Sequence, residues 1–325
     1  MLFRAAPPLA LCMLLAAFVW SPVTAQSYPV KPVKIVVPAQ PGGGLDLIGR
    51  AIGEQLGRAL GQSFVIENVS GGGGTIATQS VARASPDGFT LMVGYVGTHG
   101  TNPAVRKVPY DAIRDFTPIA MVGGTPNVLV VYPAVPAADL KTLVEFAKKN
   151  AGKISYASGG IGTLNHLAME QFRAAAGFEA VALHYRGIGP AFIDILAGQT
   201  QMMMPGLAAA LPHVRSKKLR PIAITGLARH QLLAEVPTFD ESGFKGFDGV
   251  QWYGIVGPAK MPAEVTARLH AEIGKALASR VFQERLASEA IDPMPMSPEQ
   301  FGRFMQAEIT RWAALARERG IVLDD

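Results

Sequence analysis

Short apolar runs rich in β-branched residues alternate with amphipathic helical patterns from about residue 33 onward. The first runs are VKIVV, SFVIEN and FTLMVG (33–37, 63–68 and 89–94), with helical patterns from about Asp46 and after the glycines at 71–74. Strands that alternate with helices favour a largely parallel sheet with helices on both faces. These residues therefore predict one α/β unit of roughly 100 residues.

The same alternation restarts further along the chain. VLVVY, KISYA, AVALHY and RPIAIT (128–132, 153–157, 180–185 and 220–225) are its apolar runs, and VQWYGIVGP (250–258) precedes helical patterns that continue to the C-terminus. The apolar stripes of those last helices need a partner, so we expect them to cover one of the units. The pattern predicts two α/β units with a cleft between them.

The N-terminus has the organisation of an export signal. Arg4 supplies the positive charge, Leu9 to Val19 the apolar core, and Val23-Thr24-Ala25 the small residues before a cleavage site. The apolar run is well short of the roughly 20 residues that span a bilayer. We therefore predict that residues 1–25 are a signal peptide, cleaved near Ala25, and that the mature protein is periplasmic.

Composition limits the chemistry of the mature chain. Cys12 is the only cysteine, so cleavage leaves neither a disulfide nor a thiolate nucleophile. With 49% hydrophobic and 17% charged residues, the chain can bury the cores of two domains. The formal charge of +5 is dispersed along the sequence, which leaves no nucleic-acid footprint. We predict no nucleic-acid partner.

The first strand leads into a glycine loop, PGGGLD (41–46), that resembles a phosphate cradle. Counting from Gly42, a dinucleotide fingerprint needs a glycine at the sixth position, where Leu47 stands, and no Gly-Lys-Ser/Thr follows. Unpaired backbone N–H groups at the helix start would accept a carboxylate as well as a phosphate. SGGIGTLNHLAMEQF (158–172), with Thr163 as N-cap, repeats the device. Both loops are equally compatible with plain turns in which glycine serves only backbone geometry.

Two further polar loops follow strands, GYVGTHGTNP (94–103) and HYRGIGPAF (184–192). Ligands of open parallel sheets bind beyond the carboxyl ends of the strands, so the four loops form a coherent binding region. Arg186 in the last loop could pair with an anion, although an arginine in a loop is more often a solvated surface group.

Catalytic and metal motifs are missing from the sequence. There is no Gly-x-Ser-x-Gly or His-Glu-x-x-His pattern, and the six histidines have no metal spacing. We predict no metal, no cofactor and no catalytic residue. A periplasmic hydrolase or isomerase on the same two lobes is the alternative, with His99 or His166 as its base. His166 is also explained as a hydrogen-bonded structural residue, and nothing supplies the third member of a triad.

Seven segments, in this order and spacing, resemble the Bug-type extracytoplasmic solute receptors, the periplasmic binding components associated with tripartite tricarboxylate transporters. They are PGGGLD (41–46), ASPDGFTLMVG (84–94), THGTNP (98–103), VPYDAIRDFTPIA (108–120), SGGIGTLNHLA (158–168), LPHVRSKKLRPIAIT (211–225) and EVPTFDESGF (235–244). The resemblance covers nearly the whole mature chain.

The resemblance implies a two-lobed α/β binding protein of the type II Venus-flytrap class, with a mixed, mostly parallel sheet flanked by helices in each lobe. Lobe 1 would comprise residues 26–126 and 249–325 and lobe 2 residues 127–248, with the hinge near 125–127 and 246–251. It also implies a monomer that closes on a small carboxylate, which backbone amides, small hydroxyls and ordered waters hold. A membrane permease or a sensor domain would recognise the closed form.

Carried over by position, the predicted ligand-binding residues lie in the polar loops of both lobes. They are Ala39, Gln40, Gly42, Gly43, Gly97 and Thr98 in lobe 1, and Ser158, Gly159, Gly160, Gly162, Thr163, Tyr185, Arg186 and Met204 in lobe 2.

Three positions differ from the pattern common in the family. Ala39 stands where many relatives carry Phe or Tyr, Leu45 where many carry Thr, and Pro205 where many carry Asp. The first two imply a roomier, more apolar cleft, and the third removes an acid that could bind an ammonium. The ligand hypothesis is therefore an aromatic or medium-chain mono- or dicarboxylate rather than an amino acid.

Overall fold

The computed structural model describes residues 28–321, so the predicted signal peptide and its cleavage site lie outside the described residues. The chain builds most of a first sheet, crosses to a second sheet, and then returns. Before the first crossing, the elements are β1 (Val33–Val37), α1 (Gly44–Leu60), β2 (Phe64–Asn68), α2 (Thr75–Ala82), β3 (Thr90–Tyr95), α3 (Asn102–Val105) and β4 (Phe116–Thr125). A π-helical turn, Gly97–Thr101, precedes α3.

Between the two crossings the chain forms the second α/β unit. Its elements are β5 (Val128–Val131), α4 (Leu140–Lys149), β6 (Ser155–Ser158), α5 (Leu164–Ala176), β7 (Val181–His184), α6 (Ile188–Leu196), β8 (Met202–Met203), α7 (Leu207–Arg215) and β9 (Arg220–Ile224). After the return come β10 (Gln251–Pro258), α8 (Ala263–Ala278), α9 (Arg280–Ser288), β11 (Asp292–Pro293) and α10 (Pro298–Glu318).

Both sheets are mixed. The first has the order β11-β4-β10-β3-β1-β2 and the second β7-β6-β8-β5-β9. In the first sheet β1 to β4 run in one direction while β10 lies antiparallel between β3 and β4. In the second sheet β5 is antiparallel to both of its neighbours. At the edge of the first sheet, β11 is also antiparallel to β4. β10 and β5 are each the strand that enters its sheet from the other unit, which explains their direction.

Alternation along the strands divides the core of the first unit into two layers. Val33, Ile35 and Val37 of β1 pack on one face with α1, α8 and α9, whereas Val36 packs on the other face with α2 and α10. Successive side chains of a strand point to opposite faces, so the two clusters lie on opposite sides of the sheet. The C-terminal helices therefore cover the first unit on both faces, which confirms the expectation from their apolar stripes.

One buried threonine connects the two crossing segments. The Thr225 hydroxyl accepts a hydrogen bond from the Asn127 backbone N–H at 2.9 Å and donates one to the Gly249 carbonyl at 3.1 Å. Asn127 follows the first crossing and Gly249 precedes the second. The lobe boundaries at 126/127 and 248/249 stay a prediction. Within residues 28–321, no helix has the length and apolarity needed to cross a membrane.

Candidate functional site

A cleft of about 640 Å³ lies between the two units. Its volume is within the range of small-molecule sites. The lining residues are glycines, small polar groups, a few aromatic and aliphatic side chains and two charged side chains from both units: Gly43, Gly44, Gly73, Tyr95, Val96, Gly97, Thr101, Asn102, Arg106, Thr125, Gly159, Thr163, Leu164, Asn165, Gly187, Ile188, Gly206, Ala208, Ala209, Gln251, Tyr253, Glu289 and Ile291.

On the first unit, a buried carboxylate fixes the glycine loop before α1. Asp46 accepts hydrogen bonds from the Gly42 N–H at 2.9 Å, the Arg50 Nε at 2.9 Å and the Asn68 side-chain amide at 3.0 Å. The Arg50 hydrogen bond is the largest of the effects that lower the pKa of Asp46. Gly42 has a φ of +90°, a conformation that favours glycine. Asp46 therefore fixes the conformation of the loop, and the Gly42 N–H already has a hydrogen-bond partner.

The π-helical turn after β3 places Gly97 at the cleft and turns its polar side chains inward. The Thr98 hydroxyl contacts the Tyr95 carbonyl at 3.2 Å and the His99 Nδ1 at 2.9 Å, and the Tyr110 hydroxyl donates to the Thr98 carbonyl at 2.9 Å. Burial lowers the pKa of His99 to about 3. His99 is therefore a neutral core residue, whereas Gly97 lines the cleft.

On the second unit, side chains hold the glycine loop before α5. The Gly159 N–H donates to the Asn165 side-chain oxygen at 3.0 Å, and the Gly162 N–H donates to the His166 Nδ1 at 3.1 Å. Burial is the main cause that lowers the pKa of His166 to about 4, so its ring is neutral and can accept. His166 positions the loop from beneath, as the structural interpretation of this residue expects.

Four helices of nine or more residues begin at the cleft, and none has a described side chain that caps its first turn. These are α1, α5, α6 and α7, whose N-cap residues are Gly43, Thr163, Gly187 and Gly206. By contrast, Asp139, Ser279 and Ser297 cap α4, α9 and α10, and none of these residues lines the cleft. The helices α2, α3 and α8 are uncapped as well, and the N-cap of the four-residue α3, Thr101, also lines the cleft. The Leu207 N–H of α7 already donates to the Pro126 carbonyl at 2.9 Å, and the His166 N–H of α5 to the Thr163 carbonyl at 3.0 Å. The other N–H groups of the four first turns and the positive ends of the four helix dipoles face one space.

The structure brings four of the sequence-predicted residues together in the cleft lining: Gly43, Gly97, Gly159 and Thr163. The other ten lie outside the lining set: Ala39, Gln40, Gly42, Thr98, Ser158, Gly160, Gly162, Tyr185, Arg186 and Met204. Ala39 packs against the core of the first unit, as Leu45 does. Met204 is fully buried, and Arg186 is exposed.

Hydrogen bonds hold two of those ten residues within the second unit. The Ser158 hydroxyl lies 2.7 Å from the His184 Nδ1, and the Tyr185 hydroxyl donates to Asp194 at 2.6 Å. No histidine among the described residues lines the cleft. The same part of the chain contains no cluster of three metal-ligating side chains.

Sequence reasoning missed several lining residues. The start of α7, Gly206 with Ala208 and Ala209, could have been found from the glycine that precedes its helical pattern. Arg106 lies three residues beyond the quoted THGTNP segment, and Glu289 ends a C-terminal helix whose only expected role was packing. For these two residues the sequence contains no local signal.

Comparison with known proteins agrees with this geometry. The model of the family described as "Tripartite tricarboxylate transporter family receptor" matches residues 48–321. Protein BugT of Bordetella pertussis is 32% identical over 309 residues, which cover 93% of this chain and 94% of BugT. The resemblance to Bug-type receptors is therefore confirmed.

Solved structures share the two-lobed fold. R. palustris Rpa4515 with adipate aligns with a TM-score of 0.81 and 32% identity, over 91% of this chain and 99% of that chain. MatC (Rpa3494) from Rhodopseudomonas palustris with bound malate aligns with a TM-score of 0.76 and 30% identity, over 89% of this chain and 99% of that chain. These likenesses confirm the predicted fold class.

Proposed function

The chain belongs to the tripartite tricarboxylate transporter receptor family, and from this premise we propose that it is a periplasmic receptor that captures a small carboxylate between its two lobes. Its role in this proposal is binding without covalent chemistry. A permease or a sensor domain would then recognise the ligand-bound form.

The four uncapped helix starts carry this proposal. Each one presents backbone N–H groups and a positive dipole end, which together favour an anion. At α5 the N-cap Thr163 and the next two residues, Leu164 and Asn165, all line the cleft. At α7 the lining residues Ala208 and Ala209 belong to the first turn. An anion in this cleft would be held by fixed backbone groups from both lobes.

The size of the cleft bears on the ligand class. A volume of about 640 Å³ has room for a ring or a medium-length chain beside one carboxylate. Tyr95, Tyr253, Ile188 and Ile291 supply apolar surface in the lining. We therefore infer an aromatic or medium-chain carboxylate as the ligand.

Closure on the ligand follows from differential affinity. Loops from both lobes line the cleft, so a bound ligand makes contacts with the closed form that the open form cannot make, and it shifts the population toward closure. We place the hinge at 125–127 and 246–251, where Thr225 ties the two crossing segments together. We place lobe 1 at residues 26–126 and 249–325, and lobe 2 at 127–248.

Thermal unfolding with a panel of aromatic, aliphatic and amino-acid carboxylates tests the proposal. The full-length chain is expressed with its own N-terminus and purified from the periplasm, so that export and cleavage near Ala25 are read from the same sample by mass spectrometry. A ligand at 100 times its dissociation constant stabilises by about 2.7 kcal/mol. We expect a selective shift with one ligand class.

A matched pair of variants shows whether a shift arises in the cleft. Ala209→Glu places a carboxylate at the start of α7, where Ala209 lines the cleft. Ala263→Glu makes the same change at the exposed start of α8. We expect the first variant to lose the ligand-induced shift and the second to keep it. A wild-type protein that gives no shift with any carboxylate, and that native mass spectrometry shows to be empty, would refute the proposed function.

A further inference from the structure

The cleft contains two charged side chains of opposite sign. Arg106 and Glu289 are the only charged residues among its described lining residues. The other described lining residues offer an anion only neutral donors and helix dipoles. Within that set, a difference in side-chain charge between the ends of the cleft can therefore come only from Arg106 and Glu289.

The Arg106 guanidinium has no partner of its own in the described part of the chain. Its Nε is buried without a hydrogen-bond partner, and no ion pair forms between Arg106 and any carboxylate of residues 28–321. The side chain lies close enough to Tyr95 to counteract the rise in the pKa of the Tyr95 hydroxyl that burial causes. A buried N–H donor without a partner carries a free-energy cost. The two Nη groups of Arg106 form no hydrogen bond within the described chain and are not among its buried unpartnered atoms, so they are the donors that a ligand carboxylate in the cleft would reach.

Arg106 and the start of α5 line the same cleft. The residue before Arg106, Val105, packs on Gly162 of the second lobe so closely that a Cβ on Gly162 would lie 2.5 Å from Val105 Cγ2. Val105 and Leu164 belong to the same apolar cluster. A carboxylate here would meet the guanidinium from one lobe and the uncapped N–H groups of α5 from the other.

Glu289 approaches the cleft from the other side of the first sheet. It lies between α9 and Ile291, which packs in the cluster of α1, α8 and α9, whereas Val105 packs in the cluster of the opposite face. No ion pair joins Glu289 to a cation of the described chain. Arg285, one turn earlier, pairs instead with Glu54 at 2.8 Å. The carboxylate of Glu289 adds to the effect of burial in raising the pKa of the neighbouring Tyr253 hydroxyl.

We propose that Arg106 pairs with the ligand carboxylate at the α5 side of the cleft, and that Glu289 selects a hydrogen-bond donor, a hydroxyl or an amine, at the opposite side. This inference rests on the proposed function and narrows its ligand class. The amine in question is at the end of the ligand remote from the carboxylate, unlike the α-ammonium of an amino acid, which the loss of an acid at Pro205 disfavours. A second carboxylate at the Glu289 side would meet a like charge. The receptor therefore prefers a hydroxy- or amino-substituted monocarboxylate to the matching dicarboxylate.

Isothermal titration with two matched ligand series tests the inference. The aliphatic series is hexanoate, adipate, 6-hydroxyhexanoate and 6-aminohexanoate, and the aromatic series is benzoate, terephthalate, 4-hydroxybenzoate and 4-aminobenzoate. In the series that fits, we expect the wild type to bind the hydroxy or amino member on the order of tenfold more tightly than the dicarboxylate. The variants are Arg106→Gln and Glu289→Gln. Arg83→Gln and Glu145→Gln are controls at exposed residues outside the lining.

Arg106→Gln should weaken the binding of every carboxylate by roughly 10- to 100-fold, because it removes a charge-assisted hydrogen bond. The same variant should make the affinity depend less on salt concentration. Glu289→Gln should abolish the discrimination against the dicarboxylate, and the controls should change neither quantity. If the wild type binds carboxylates but Arg106→Gln binds them within twofold of it, or the discrimination survives in Glu289→Gln, the inference is overturned and the proposed function stands. If the wild type binds no carboxylate, the proposed function fails with it.

Discussion

Replacing Thr225 with valine should destabilise the chain where its two crossing segments meet. Thr225 is fully buried, and its hydroxyl accepts from the Asn127 N–H at 2.9 Å and donates to the Gly249 carbonyl at 3.1 Å. Valine has nearly the same shape but no hydroxyl. Thr225→Val therefore leaves a buried donor and a buried acceptor without partners while creating no cavity.

The size of the effect follows from those two groups. An unsatisfied buried N–H or C=O costs about 1–3 kcal/mol, so the pair predicts a loss of about 2–6 kcal/mol in the free energy of unfolding. For a chain of this size, that loss corresponds to a fall in Tm of about 4–12 °C. Thr225→Ser keeps the hydroxyl and loses one methyl group, which costs about 1 kcal/mol.

Urea unfolding of the ligand-free protein, followed by far-UV circular dichroism, measures both variants against the wild type. We expect Thr225→Val to lose clearly more stability than Thr225→Ser. If the two variants were equally stable, or if serine were the worse substitution, the methyl group rather than the hydroxyl would join the segments, and the argument from hydrogen bonding would be refuted.

Four further changes have definite expected results. Gly162 has a φ of +74°, and a Cβ at this position would lie 2.5 Å from Val105 Cγ2. Gly162→Ala should therefore lower the free energy of unfolding in urea by about 1–3 kcal/mol. Adding Val105→Ala to this variant should restore only part of the lost stability, because the backbone strain remains. Asp46→Asn should lower the free energy of unfolding by about 1–3 kcal/mol at pH 7. Because the pKa of Asp46 is lowered in the folded state, the difference in stability between this variant and the wild type should shrink as the pH falls below 3.8. A difference that stays constant with pH would contradict this expectation. The pKa of His166 falls from 6.5 to about 4 on folding. The neutral ring therefore contributes fully to the free energy of unfolding above pH 6.5, and this contribution is lost as the pH falls from 6.5 through 4. His166→Gln should flatten the dependence of the free energy of unfolding on pH in this window. Gly206→Asp should raise Tm slightly by capping α7 but abolish carboxylate binding in calorimetry; unchanged affinity would show that the α7 start does not face the ligand.

Strands with continuous apolar runs could be predicted closely from the sequence. The run at 33–37 is β1 (Val33–Val37), and the run at 250–258 corresponds to β10 (Gln251–Pro258). A buried strand needs apolar side chains on both faces, so its composition marks it. β4 (Phe116–Thr125) was not predicted as a strand, because its polar and glycine positions interrupt the pattern. β8, with two residues, is too short to show a period.

The candidate site could be predicted only where the backbone itself forms it. Glycine before a helical pattern marks the starts of α1 and α5, and residues of both starts line the cleft. The local pattern does not show which N–H groups remain free. Asp46 already accepts from the Gly42 N–H, and His166 from the Gly162 N–H.

The charged residues of the cleft depend on tertiary structure alone. Arg106 and Glu289 are far apart in the sequence and belong to opposite faces of the first sheet, yet both line one cleft. Only the packing of α3 and α9 against that sheet brings the two side chains to the same cleft. A sequence pattern predicts the elements and their apolar faces, whereas side chains that act from neighbouring elements require the fold.

The uncapped helix starts at the cleft suit the binding of a ligand better than they suit the stability of the free protein. A capping side chain stabilises a helix by about 0.5–2 kcal/mol relative to alanine at the N-cap, whereas glycine at the N-cap is only about a few tenths of a kcal/mol less favourable than the capping residue. Glycine at the N-caps of α1, α6 and α7 therefore costs little in the free protein while leaving the N–H groups open. Aspartate or serine would satisfy the same N–H groups from within, as Asp139 and Ser297 do at α4 and α10. The donors that remain open gain their best partner when an anion enters, so the stabilisation that a cap would give at all times becomes available on binding.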